Sequence, residues 1–194
     1  MENDITTSKK FFTLQLFNSL ERKITKLKLQ LGQNITIYLC GPTVYDHIHI
    51  GNLRPVVIFD VLHRLLLHLK IKVNYIQNIT DIDDKIISKS QKEKKSEKEI
   101  SDYYTQSYFT NLVRYNILLP TYSPRVTDYI FQVQGFIRNL LEKGAAYQQS
   151  GEVFFRIEEN PEYGKVSGQN LTKLKEGTRE ITQTNKEDSR DFLL

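Results

Sequence analysis

Ile35-Thr36-Ile37-Tyr38-Leu39-Cys40, then Gly41-Pro42, then the near-continuous apolar run Pro55 to Leu69, then Lys72 to Thr80, is the stretch that decides the fold. Its first six residues are β-branched or aromatic for the most part, the profile of a buried strand. Gly41-Pro42 must stop that strand, because proline cannot donate to a ladder. From Pro55 to Leu69 the polar residues are Asp60, His63, Arg64 and His68, whose spacing puts them on one narrow stripe of a helix. Pro55 is tolerated in a first turn, where amides have no intrahelical acceptor, and Asn52 is the expected N-cap. Lys72 to Thr80 is a second strand and Asp81 to Lys85 an acidic loop. Strand, helix and strand in this compass predict a right-handed βαβ unit on a parallel sheet, and so an α/β fold.

Outward from that unit the signals weaken. Residues 14–20 alternate as a short strand does, residues 22–30 read as a half-buried strand or an irregular basic edge, and Gly32-Gln33-Asn34 marks a turn. Ser88 to Glu99 holds five Lys and three Glu and no apolar residue. It reads as the solvated end of one helix and the start of the next. Helical spacing runs through residues 100–118, Pro120 and Pro124 interrupt, and residues 127–143 form another amphipathic helix closed by Gly144. Ala145 to Gln148 and Glu152 to Ile157 flank a hairpin turn.

The 194 residues, 39% hydrophobic and 26% charged, suffice to close a core. The aromatic and aliphatic runs exclude a disordered chain. No apolar stretch approaches the ~20 residues of a membrane helix, and the first dozen residues have no secretory h-region, so a soluble protein without a membrane partner is expected. The single cysteine, Cys40, leaves no intrachain disulfide and fits a reducing compartment, the cytoplasm. A net charge of +4 permits a nucleic-acid partner without requiring one.

The chemistry-bearing segment is Cys40-Gly41-Pro42-Thr43-Val44-Tyr45-Asp46-His47-Ile48-His49-Ile50-Gly51-Asn52, between the carboxyl end of a strand and the start of a helix. In an open parallel sheet ligands bind in that crevice, and a helix N-terminus favours phosphate. It is not a P-loop, since the Gly-Lys-Ser/Thr ending is absent. On composition alone the competing readings are a small hydrophobic Cys40 and two surface histidines.

His49-Ile50-Gly51-Asn52 resembles the HIGH signature of class I aminoacyl-tRNA synthetases, with Asn last. The flanking Cys40-Gly41-Pro42-Thr43-Val44-Tyr45-Asp46 narrows the resemblance to the cysteinyl-tRNA synthetase family. Asn78-Ile79-Thr80-Asp81-Ile82-Asp83-Asp84-Lys85-Ile86-Ile87, Pro161-Glu162-Tyr163-Gly164-Lys165-Val166-Ser167-Gly168 and Leu16-Phe17-Asn18-Ser19-Leu20 are similar to further family blocks in the same order. The resemblance implies the first half of a class I Rossmann-type catalytic domain over 1–118, with the HIGH-like motif at 42–52. It implies an α+β connective insertion over 119–190 and the start of a strand returning to the sheet at 191–194.

It further implies ATP-dependent activation of cysteine to cysteinyl-adenylate and transfer to tRNA-Cys. The substrates would be L-cysteine, ATP with Mg2+ and tRNA-Cys. His49 and Asn52 would be the catalytic pair on the ATP phosphates and Gly51 would lie against adenine. His47 would serve either at the ATP site or in holding the loop. Gly41 and Thr80 would contact the bound cysteine, and Cys40 would be the first ligand of a Zn2+ ion. A thiolate-seeking metal makes chemical sense, because an apolar pocket separates serine from cysteine poorly. The family's remaining zinc ligands, its KMSKS loop and its helical domains find no match in these residues. An amino-terminal portion inactive by itself, completed by a separate carboxyl-terminal half, is therefore one expectation. A non-catalytic paralogue that binds nucleotide or tRNA, and a cysteine ligase with an amino-sugar acceptor, are the alternatives.

Overall fold

The computed structural model describes residues 11–168 and 186–194. Among them the chain divides into two compact units, one of residues 11–14 and 27–129, the other of residues 15–26, 130–168 and 186–194. A hairpin of β1 (Phe11–Asn18) and β2 (Lys23–Gln30) has its base in the first unit and its tip in the second.

The first unit is built on the βαβ element. β3 (Asn34–Leu39) pairs parallel with β4 (Lys72–Gln77) in a register from Asn34 with Lys72 to Leu39 with Gln77, and α1 (Ile50–His68) joins them. β3 is less buried than its composition suggests: only Leu39 is buried, the residues before it alternate between exposed and half-buried, and Tyr38 is open to solvent. β4 has a neighbour on its other side as well. Ile76 bridges Tyr122 and Ile79 bridges Arg125, both parallel. Pro124 cannot donate, but its carbonyl accepts from Ile79 N at 2.8 Å and that of Tyr122 from Gln77 N at 3.1 Å. The two prolines that interrupt the sequence pattern therefore sit in a sheet-lining segment.

α1 departs from expectation at its start. His49, not Asn52, is the N-cap, and Pro55 is the sixth helical residue, beyond the first turn. Pro55 has no amide for the carbonyl of Gly51, so that bond of the helix is not made. Half of the polar stripe points inward, while Arg64 and His68 stay exposed. Asp60 and His63 are buried with Val56 and Leu66, while Val57, Ile58, Val61 and Leu65 face solvent. Asp60 explains the inversion. Its Oδ1 accepts from Leu118 N at 2.9 Å and its Oδ2 from Arg64 Nε at 2.8 Å, and Arg64 also donates to the carbonyl of Asn116. One carboxylate thus fastens α1 to the chain leaving α3 (Glu97–Arg114).

α2 (Asp84–Glu93) and α3 follow β4, and the charge run between them conceals how they pack: their inward residues Ile86, Ile100, Tyr104, Tyr108 and Leu112 join Leu39, Val44, Val56, Tyr75 and Ile79 in one core. Asp83 caps α2, and Ser96 with Glu99 forms a capping box on α3. Within the core Tyr108 donates to Gln77 Oε1 at 2.7 Å. Burial, with a smaller contribution from Asp60, pushes the Tyr75 hydroxyl up to about 12.

The second unit holds α4 (Ile130–Glu142), the hairpin β5 (Ala146–Gln149) and β6 (Glu152–Phe155), and β7 (Phe192–Leu193). Ser150 and Gly151 both have positive φ, 52° and 85°, as a two-residue primed turn requires. The sequence reading has residues 191–194 start a strand returning to the main sheet; the pairing they make is antiparallel to β6. Asp191 holds them there, its buried carboxylate accepting from Tyr147 Oη and Ile157 N, both at 2.9 Å. The rings of Phe155 and Phe192 stack 5.2 Å apart over the same pair of strands.

Candidate functional site

The loop from Cys40 to His49 leaves β3 at its carboxyl end and enters α1. Past the last paired residues of β3 and β4 the two chains stay together: Thr43 bridges Thr80, Val44 N donates to Thr80 O at 3.1 Å, and Thr80 N to Pro42 O at 3.0 Å. Asn78 ties this crossing. Its Oδ1 accepts from Gly41 N at 2.8 Å and from Tyr38 Oη at 3.1 Å, and its Nδ2 donates to Thr80 Oγ1 at 3.1 Å. A Cβ on Gly41 would lie 1.5 Å from the carbonyl oxygen of Asn78, so only glycine fits. Gly41 and Thr80, singled out in the sequence for contact with an amino acid, thus also have backbone duties. Asn78 had no assigned role, because one amide after a strand carries no pattern.

His49 and Asn52 stand at the mouth of α1. His49 Nδ1 accepts from Gly51 N at 3.1 Å, so a neutral ring carries its proton on Nε2 and can donate it. A Cβ on Gly51 would come within 3.0–3.1 Å of that ring, which is tighter than ordinary contact. Asn52 and His49 are both exposed, and no acidic residue lies in the first turn of α1 to offset the partial positive charge of the amides. The arrangement suits an anion: unneutralised amides, a histidine donor and a carboxamide on one helix end.

His47 is turned away from that cluster. Its Nδ1 lies 2.9 Å from Ser107 Oγ, and its ring meets the edge of Tyr104 at 5.1 Å, so its contacts are those of a residue holding the loop to α3. Beside it Asp46 accepts from His47 N at 2.8 Å and pairs with Lys89 at 3.3 Å. The His47 amide first, and Lys89 next, hold the Asp46 carboxyl below its ordinary range.

Cys40 is exposed at the head of the loop. Among the described residues no group of three or more His, Cys, Asp or Glu side chains converges to hold a metal ion. A catalytic zinc takes three protein ligands. These residues therefore do not fit a zinc site by themselves; Cys40 offers one thiolate and no more.

A parallel pair crossed by a helix, with an anion-seeking loop at its carboxyl end, is a class I nucleotide-binding arrangement. The sequence profile of the tRNA synthetases class I (C) catalytic domain matches residues 27–194, and the chain belongs to that family. Its similar relatives include proteins named cysteine–tRNA ligase. One from Listeria monocytogenes serotype 4a (strain HCC23) is 37% identical over 182 residues, 94% of this chain and 39% of that protein. One from Archaeoglobus fulgidus is 41% identical, over 93% of this chain and 39% of that one. One from the Aster yellows witches'-broom phytoplasma is 42% identical, over 93% and 41%. The chain thus spans well under half the length of these relatives. A solved structure described as a putative arginyl-tRNA synthetase from Campylobacter jejuni superposes with a TM-score of 0.51 at 15% identity, over 68% of this chain and 40% of that one, a likeness of fold. No helix among the described residues is long and apolar enough to cross a membrane.

Proposed function

We propose that this chain supplies the nucleotide-binding part of a cysteine–tRNA ligase working in the cytoplasm on ATP with Mg2+, L-cysteine and tRNA-Cys. The carrying observation is His49, which caps α1 through Nδ1 and keeps Nε2 as a donor beside Asn52, at a helix start with no acidic residue in its first turn. In the activation step an oxygen of the cysteine carboxylate bonds to the α-phosphorus of ATP, and the bond from that phosphorus to the bridging oxygen breaks to release pyrophosphate. The ribose hydroxyl of tRNA then displaces AMP. Charge builds on the phosphate oxygens, and donors fixed in advance lower the barrier. His49 and Asn52 take that role, His47 keeps the loop in place, and Gly51 leaves room for the base. Gly41 and Thr80 line the crevice for the amino acid. Cys40 is one donor of a zinc site that needs ligands from beyond the described residues, and no step is assigned to the metal. Residues 1–118 form the first half of the catalytic domain and residues 119–190 a connective insertion.

The test is cysteine-dependent ATP–pyrophosphate exchange, on the chain alone and mixed with the part of the Listeria relative that lies outside the matched region. Exchange is expected in the mixture and not with the chain alone, and His49→Ala is expected to slow it by ~10²–10³. Exchange that is absent from the mixture, or indifferent to His49→Ala, overturns the assignment. That no three-ligand metal group forms among the described residues goes with a second reading, a module that binds nucleotide or tRNA without turnover; its signature is binding of Mg-ATP or tRNA with no exchange in any mixture.

A further inference from the structure

The charged run at Ser88–Glu99 reads as solvated surface, yet one face of α2 is engaged with a loop. Lys85 and Lys89, four residues apart and so on the same side of the helix, both reach the loop that carries the histidines. Lys85 Nζ sits 5.1 Å over the ring of Tyr45. Lys89 Nζ lies 3.3 Å from Asp46 Oδ2, 3.6 Å from Glu93 and 4.9 Å over the ring of Tyr104, with its side chain only 21% exposed. The two oxygens of Asp46 are divided: Oδ1 takes the His47 amide and Oδ2 takes Lys89. Tyr104 is shared in the same way, since the edge of the His47 ring rests on it.

We propose that Lys89, seconded by Lys85, is a positioning residue for the anion site: it locks Asp46, and through Asp46 the backbone at His47, so that the chain enters α1 with His49 in place. This rests on the nucleotide reading of the same loop. Two physical effects combine. The tie removes conformational freedom from residues 44–49 before a ligand arrives. The ammonium also offsets the Asp46 carboxylate, three residues before His49, which would otherwise repel a phosphate. Lys89 does not reach for the ligand itself, because its charge is engaged on three sides.

Two measurements on the full chain separate the brace from the nucleotide reading. Amide hydrogen exchange of residues 44–49 is expected to speed up about tenfold in Lys89→Met and to return toward the parent rate in Lys89→Arg. Lys92→Met, exposed on the same helix, is expected to leave it unchanged. Equal exchange in Lys89→Met and the parent chain overturns the brace. Calorimetric titration with Mg-ATP is expected to give an affinity about tenfold weaker in Lys89→Met and near normal in Lys89→Arg. If the parent chain binds no Mg-ATP, the nucleotide reading falls and the exchange rates still decide the brace. If it binds and Lys89→Met binds equally well, the brace does not serve the site.

Discussion

The two faces of α1 are matched in helix and in neighbourhood along the chain, yet they invert the usual rule. The inner face buries Asp60 and His63 beside Val56 and Leu66; the outer face exposes Val57, Ile58 and Val61. Hydrophobicity did not choose between them, because both faces have apolar residues to offer. Partner chemistry did. Asp60 meets the Leu118 amide and the Arg64 guanidinium, and the bonds a carboxylate makes there outweigh its desolvation. Orientation in a helix apolar over most of its circumference is therefore set by its few polar residues.

That comparison breaks most directly at Asp60. Asp60→Ala leaves the Leu118 amide without its acceptor and takes the carboxylate from Arg64, and is expected to cost about 2–3 kcal/mol in urea unfolding. A loss near zero would mean that the inner face is held by packing alone. Val56→Ala, on the inner face, is expected to cost about 2 kcal/mol from lost burial and the cavity left behind. His63 sharpens the comparison through pH. Burial, chiefly, holds its imidazole below the ordinary value of 6.5, against the pull of Asp60 and with a push from Arg64. Since the unfolded chain takes up the proton first, stability is full above about pH 6.5 and falls as the pH drops through that value. Urea midpoints at pH 7.5 and 5.5 should differ, and His63→Gln should flatten the difference; an unchanged slope would put the titrating group elsewhere. Val61→Gln, on the outer face, is expected to stay within about 0.5 kcal/mol of the parent.

The βαβ unit was readable because β-branched residues and a long apolar run leave few other folds open, and the family was readable because the loop after Cys40 is specific in both residues and order. What stayed hidden has physical causes. The facing of α1 is invisible to periodicity when most of its circumference is apolar. The N-cap fell to His49 because its imidazole reaches the Gly51 amide, a role the usual short polar caps do not announce. The segment at residues 121–126 pairs with β4 and Ile79 through the amides of Thr121, Tyr122 and Val126 and the carbonyls of Tyr122 and Pro124; neither proline is asked to donate there, yet Pro120 and Pro124 disguised the segment in the sequence. Lys89 was lost in a charge run whose other charged members face water, and Lys85 in the acidic loop before it.

The contact of Asn78 with Gly41 also acts on folding itself. Asn78 follows directly on the last register pair, Leu39 with Gln77, and its three hydrogen bonds go to Tyr38, Gly41 and Thr80. A slip of the parallel pair by one residue would bring Gln77 or Ile79 opposite Gly41. Ile79 has no amide side chain to give, and Gln77 would have to leave Tyr108, its partner in the core. Parallel strands can slide where side chains are interchangeable. Here one carboxamide works as a key cut for a single alignment, so the loop that carries His49 cannot assemble on a misaligned sheet.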